Sequence, residues 1–205
     1  MRTYSTSLLF FVGLAALPAL ADNTPTATPG PKSTQLSTMT YDLFTFSTPA
    51  VAAEWSATDD RVMGGVSRSR LRFDPAGHAL FEGVMSLEQN GGFASVRAAA
   101  KPPPMPNVTH YVVEVRGDGK RYKLNMRTSG RFDAVSYQAT FATVADAWTT
   151  IAIPVNTFVA TFRGRRVIDA PPLDAAKVNQ VGFMIADNQD GPFQLAVRKI
   201  AVEAR

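Results

Sequence analysis

From Tyr41 to the C-terminus the chain runs in short segments of alternating apolar and polar residues, each closed by Gly, Pro, Asn or Asp. Successive strand residues point to opposite faces, so a period of two predicts strands with one buried side. Many such strands with turn signals between them predict a sandwich or barrel rather than βαβ units. The candidate strands are Tyr41–Phe46, Val66–Phe73, Ala79–Leu87, Phe93–Ala99, His110–Arg116, Arg121–Thr128, Val135–Phe141, Trp148–Ile153, Gln180–Ala186 and Phe193–Glu203. Helix is confined to a short turn over Asp174–Asn179. Pro102–Pro106 (PPPMP) is expected to cross in an extended or looped form, because proline cannot donate to a central ladder. The chain is therefore expected to be all-β, a two-sheet antiparallel β-sandwich of the jelly-roll kind.

The alternation also assigns faces. Tyr122, Leu124 and Met126 oppose Arg121, Lys123, Asn125 and Arg127; Val135, Tyr137 and Phe141 oppose Ser136, Gln138 and Thr140; Tyr111, Val113 and Val115 oppose Glu114 and Arg116. If these strands are neighbours they share one polar face, to which Phe93–Ala99 adds Ser95 and Arg97. Arg97, Asn125, Arg127 and Gln138 then form a candidate binding surface, since planar amides and guanidinium groups supply directional hydrogen bonds to a sugar, a peptide or a carboxylate. A merely solvated sheet face is the competing reading, and concavity decides between them. Trp55, Trp148 and the phenylalanines read as core.

Composition narrows the chemistry. The chain has 205 residues, 45% of them hydrophobic, enough for one sizeable core, and no cysteine. Disulfides, thiol nucleophiles and thiolate metal sites are excluded. Residues 1–21 read as a signal peptide, with Arg2, an apolar run over Leu8–Leu20 and a small-x-small site at Ala19–Ala21. The run is too short to span a bilayer, so no transmembrane segment is expected in the mature chain, which is predicted to be exported and periplasmic or secreted. Residues 22–40 are a Thr/Pro/Ser-rich linker and 41–205 the folded domain. Without Arg2, 20 basic residues face 17 acidic ones, a net charge of +3 too mild and too scattered for nucleic acid.

Among the motifs, Asp59-Asp60-Arg61-Val62-Met63-Gly64-Gly65 joins two carboxylates to a glycine pair. Adjacent carboxylates on an extended chain point apart, so they are expected to cap amides or pair with arginine rather than share a proton, and Asp60 joins the candidate binding residues. Asn90-Gly91-Gly92 and Gly117-Asp118-Gly119 are hairpin turns, since no helix follows to make a phosphate cradle. Asp187-Asn188-Gln189-Asp190-Gly191 gathers oxygen ligands, making Asp187 and Asp190 weak candidates for a structural calcium; no other metal or cofactor is expected. His78 and His110 lack metal-site spacing, and no serine-nucleophile signature is present, so no catalytic residue is named. Phe162-Arg163-Gly164-Arg165-Arg166, the densest basic cluster, reads as a solvated loop, with an acidic protein surface or phospholipid headgroups as alternative targets.

In order and spacing, Trp55–Ser67 (WSATDDRVMGGVS), Asn90–Arg97 (NGGFASVR), Arg116–Leu124 (RGDGKRYKL) and Gly182–Phe193 (GFMIADNQDGPF) resemble the complex I intermediate-associated protein 30 family. The resemblance runs from about Tyr41 to the C-terminus. It implies a galactose-binding-domain-like β-sandwich and a non-enzymatic assembly or scaffolding role, as in the mitochondrial member that helps assemble NADH:ubiquinone oxidoreductase. That member works from the matrix side; the leader of this chain shifts the expected client to an envelope protein complex or assembly intermediate. A carbohydrate-binding module is the alternative implied by the fold. Exposure of Trp55, Tyr122 or Tyr137 in a groove would favour sugar, whereas burial of all three beside an exposed apolar patch would favour protein.

Overall fold

The structure is a computed structural model describing residues 38–131 and 134–205. The leader and most of the linker expected before Tyr41 lie outside the described residues. The elements in order are β1 (Met39–Thr45), α1 (Pro49–Ala53), β2 (Ser56–Ala57), β3 (Arg68–Asp74), β4 (His78–Met85), β5 (Ala94–Ala99), β6 (Val108–Arg116), β7 (Arg121–Arg127), β8 (Ser136–Ala142), β9 (Trp148–Pro154), β10 (Val159–Phe162), β11 (Arg165–Arg166), β12 (Gln180–Ile185) and β13 (Gly191–Ala204). The ten expected strands are all present. Pro102–Pro106 crosses between β5 and β6 without joining a sheet, as proline requires.

All named strand pairings are antiparallel and build two sheets. One runs β3-β4-β13-β6-β9 with β1 also on β13; the other runs β11-β10-β8-β7-β12-β5-β2. Strand β13, 14 residues long, serves β4 with its first half and β1 and β6 with its second. This is the jelly-roll sandwich expected from the alternation.

The inward rows are almost wholly apolar. An aromatic chain links the layers: Phe193 meets Phe81 at 4.9 Å, Phe81 meets Tyr122 at 6.3 Å, Phe141 meets Phe183 at 6.4 Å, and Phe183 stacks at 5.8 Å on Trp55. Each such side chain, fully buried, contributes roughly 1.5–3 kcal/mol relative to an exposed one.

Alternation left open whether β6 neighbours β7 and β8; it lies between β13 and β9 in the opposite sheet, so Glu114 and Arg116 are not part of the polar face of β7 and β8. Period two gives sidedness but not neighbours, and the crossing at Pro102–Pro106 takes the chain from one sheet to the other. Trp148 was expected in the core but is half-buried on the outer face of its sheet, with the Arg198 guanidinium 3.9 Å from the ring centroid and His78 edge-on at 5.4 Å. Strand phase gives the reason: Ile153 is the buried residue of β9, and Trp148, five positions away, falls on the other side.

Candidate functional site

On the outward face of the seven-stranded sheet, β8, β7, β12 and β5 are consecutive, and their outward side chains line up in rows. Gln138 pairs in register with Asn125, Asn125 with Gly182, and Gly182 with Arg97. In the next row Arg127 is registered with Gln180. The residues named from alternation alone, Arg97, Asn125, Arg127 and Gln138, thus share one surface, and that surface is concave. All four line a groove of about 550 Å³ together with Gln180, Ser136 and Met184.

The walls come from segments outside the main strands. The 3-10 turn Asp60–Met63 presents Val62 and Met63, each 60% exposed, and the β10–β11 hairpin presents Phe162 and Arg163. The sequence reading missed this hairpin, treating Phe162–Arg166 as a solvated loop. Its signal was Arg163-Gly164: both residues have positive φ, 47° and 75°, as the tight turn matching strand twist requires. Arg163 folds over Phe162, 5.3 Å from the ring centroid.

Asp60 does not belong to the groove lining, which corrects its place among the binding candidates. It is fully buried and accepts hydrogen bonds from Ser67 N (3.0 Å), Ser67 Oγ, Gly92 N (2.7 Å) and Phe93 N (3.3 Å). Burial pushes its carboxyl pKa up, but the bonds from Ser67, Gly92 and Phe93 together outweigh it and hold the group below the ordinary range. Asp59 points elsewhere, as neighbours on an extended chain should, and accepts from Ser69 N (2.8 Å), Ser69 Oγ and Ser95 N (3.0 Å). The pair caps amides, so it is a clasp and not a dyad. A Cβ on Gly65 would lie 2.4 Å from Asp60 Cγ, and one on Gly91 would lie 2.8 Å from Asp60 Oδ2. The glycines of two separate motifs are therefore both needed to let the backbone close around one carboxylate.

The other motifs are also structural. Asp118 of the Arg-Gly-Asp triplet accepts from Tyr122 Oη (3.0 Å), Lys120 N (3.1 Å) and Gln194 N (3.0 Å). In the 187–191 loop, Asp187 pairs with Lys123 at 2.7 Å, Asp190 accepts from Leu87 N at 3.3 Å, and Gln189 exchanges two 2.8 Å bonds with the Arg121 backbone. Among the described residues no group of three or more His, Cys, Asp or Glu side chains could hold a metal ion.

Among the described residues, the charged side chains that line the groove are Arg97, Lys123, Arg127, Arg163 and Asp187. The Arg97 side chain makes no hydrogen bond or ion pair among the described residues, whereas Arg127 donates from Nη1 to the Arg131 carbonyl at 3.3 Å. Burial first, and then the charge of Arg97, lowers the Arg127 pKa. Trp55, Tyr122 and Tyr137 are all buried, so none of them offers the groove a stacking platform.

An antiparallel sandwich with one concave, donor-rich face places the chain among the jelly-roll domains. Its fold is similar to that of a family 11 carbohydrate-binding module from Clostridium thermocellum solved with a β-1,3-1,4-mixed-linked tetrasaccharide (TM-score 0.59, 14% identity, 80% of this chain and 94% of that one). The family model described as complex I intermediate-associated protein 30 matches residues 44–197, and the chain belongs to that family. It is 27% identical to the mitochondrial complex I intermediate-associated protein 30 of Drosophila melanogaster over 183 residues, covering 78% of this chain and 62% of that protein. The Neurospora crassa protein of the same name is 23% identical over 199 residues, covering 78% of this chain and 72% of its own length.

Both relatives are named as mitochondrial, which overturns the export and the periplasmic or secreted location expected from Met1–Ala21. The envelope client rested on the same leader, and the relatives' names do not show it. Hydropathy near a terminus reports that a segment is apolar, but not which targeting system reads it. Among the described residues no helix is long and apolar enough to cross a membrane.

Proposed function

We propose that the domain is a non-catalytic binding domain of a respiratory complex I assembly factor, and that its groove receives a segment of a client protein. Family membership supports the assembly role. The single observation that carries the groove's part is that Arg97, Asn125, Arg127 and Gln138 come from three strands into one concavity rather than onto a flat solvated face. Exposed Val62, Met63 and Phe162 on the walls supply apolar contact beside the polar floor, the mixed character of protein-binding surfaces. Among the described residues of the lining, the Asp187 carboxylate is already engaged by Lys123 at 2.7 Å, which fits a binding role for the groove.

Narrowing the groove with Ser136→Trp, a half-buried outward position on β8, tests the reading. Complex I assembly intermediates should co-purify with the native chain and be lost with the variant, at unchanged melting temperature. Equal recovery with both chains would remove the groove from client binding.

Glycan binding is the second reading, favoured by the fold shared with the tetrasaccharide-bound module and by the amide and guanidinium groups on the concave face. Retardation in native gels containing mixed-linked β-glucan, abolished by Ser136→Trp, would favour it over the protein client.

A further inference from the structure

We propose that the free edge of β9 pairs with the same edge of a second copy of this chain, joining the two six-stranded sheets into one antiparallel sheet across a two-fold axis. The surface belongs to the sheet opposite the groove and is independent of the client-site reading. Sheet edges present unpaired N–H and C=O groups that recruit other strands unless charge, a bulge, proline or a short length blunts them. Among the described residues four edges are blunted. Strand β3 presents Arg68, Arg70 and Arg72, β11 is two arginines long, β2 has two residues, and β1 is interrupted by a bulge between Asp42 and Phe44, with Asp42 paired to Lys199.

The β9 edge is not blunted. Its sequence, Trp148-Thr149-Thr150-Ile151-Ala152-Ile153-Pro154, carries no charge, and all seven residues pair with β6 in unbroken register, from Trp148 on Arg116 to Pro154 on His110. In an antiparallel pair, alternate residues turn their N–H and C=O away from the partner strand. Among the described residues no backbone group outside β6 bonds to β9, and the one side-chain hydrogen bond to its backbone is that from Thr157 Oγ1 to the Pro154 carbonyl at 2.7 Å. Thr150 and Ala152, in the middle of the strand, are exposed.

A second copy fits this edge because the pairing is self-complementary. With Ile151 on the two-fold axis, Thr150 faces Ala152 of the copy, Thr149 faces Ile153 and Trp148 faces Pro154, so all seven residues pair and no strand charge is brought against another. The anchor is Trp148, which the fold leaves half-buried on the outer face, at the end of β9 where the Pro154 ring of the copy arrives. The Arg198 and Arg116 guanidinium groups, 3.9 and 5.2 Å from the ring centroid, already hold it in place, so little side-chain freedom is lost on contact. Residues that face each other across such a pair lie on the same side of the sheet, and the two grooves therefore open to one side. Roughly six backbone hydrogen bonds with one aromatic contact at each end make a small interface, so the dimer forms and dissociates with concentration.

Sedimentation velocity of the purified full chain over about a hundredfold range of concentration tests the pairing. The native chain should pass from monomer to dimer. Thr150→Lys combined with Ala152→Lys sets like charges face to face on both sides of the axis and should weaken the dimer about tenfold or more, whereas Thr150→Lys combined with Ala152→Glu sets opposite charges there and should keep it. Both positions are exposed, so the two double variants should melt like the native chain. A native chain that stays monomeric throughout overturns the proposal, including the case in which it captures an extended client strand that the first double variant loses. Equal dimerisation of all three chains would place the contact elsewhere, and loss of the dimer in both double variants would refute this register; either result overturns the pairing. Ser136→Trp, on the other sheet, should dimerise like the native chain, so failure of the pairing leaves the groove reading standing, and the reverse.

Discussion

The outer face of the six-stranded sheet and the groove face of the seven-stranded sheet are both polar, and both are built by the same period-two alternation. They differ in what their charges touch. On the outer face Glu82 binds Arg70 and Arg72 and accepts from Gln194, and the Arg116 and Arg198 guanidinium groups lie over Trp148. On the groove face the Arg97 side chain has no partner among the described residues, and two floor amides keep unused acceptors. A face whose charges are matched within the fold is explained by folding alone, whereas a concave face that keeps unused polar groups is the one on which client binding is proposed.

The strongest way to break this comparison is through the clasp beneath the groove wall. Asp60→Asn removes a buried charge that accepts four hydrogen bonds, two of them from Gly92 and Phe93 of the groove lining. Stability should fall by about 3 kcal/mol in urea titration, since bonds to a buried charged group are worth roughly 1.5–3 kcal/mol each and a donor is left unmatched. A loss below about 0.5 kcal/mol would mean that the clasp does not hold the wall.

Acidification sharpens the same point. The folded-state pKa of Asp60 is depressed, so its contribution is complete above the ordinary carboxylate pKa and is lost as pH falls below about 4 through the folded value. Glu82 shifts the same way: burial raises its pKa, and the bonds from Arg72 and Arg70 more than reverse this. Urea midpoints measured between neutral pH and pH 3 should show a flatter acid decline for Asp60→Asn than for the native chain.

Arg97→Gln addresses the groove directly. Client capture should weaken about tenfold, some 1.4 kcal/mol, with stability changed by no more than about 0.5 kcal/mol, because no interaction of the described residues is lost. Unfolding of this variant would make Arg97 an architectural residue. The smallest effect is expected from Arg70→Gln on the opposite face, where an exposed arginine paired with Glu82 contributes about 0.2–1 kcal/mol. It should lower stability by that amount and leave capture unchanged; a loss of capture would erase the distinction between the faces.

Alternation and turn chemistry by themselves determined the ten main strands, the sandwich class and the sidedness of Arg97, Asn125, Arg127 and Gln138, because inside-outside periodicity is a local property of a strand. The four motifs identified the family through their order and spacing along the chain, which is legible without knowing that Gly65 and Gly91 both close on Asp60. Tertiary structure alone decided which strands became neighbours. It put β6 in the other sheet, folded Phe162–Arg166 into a groove wall, turned Trp148 outward and took Asp60 out of the binding set into a clasp closed by residues up to 33 positions away. Concavity belongs to the same category, since it arises from the pairing and twist of strands distant in sequence, which no single segment encodes.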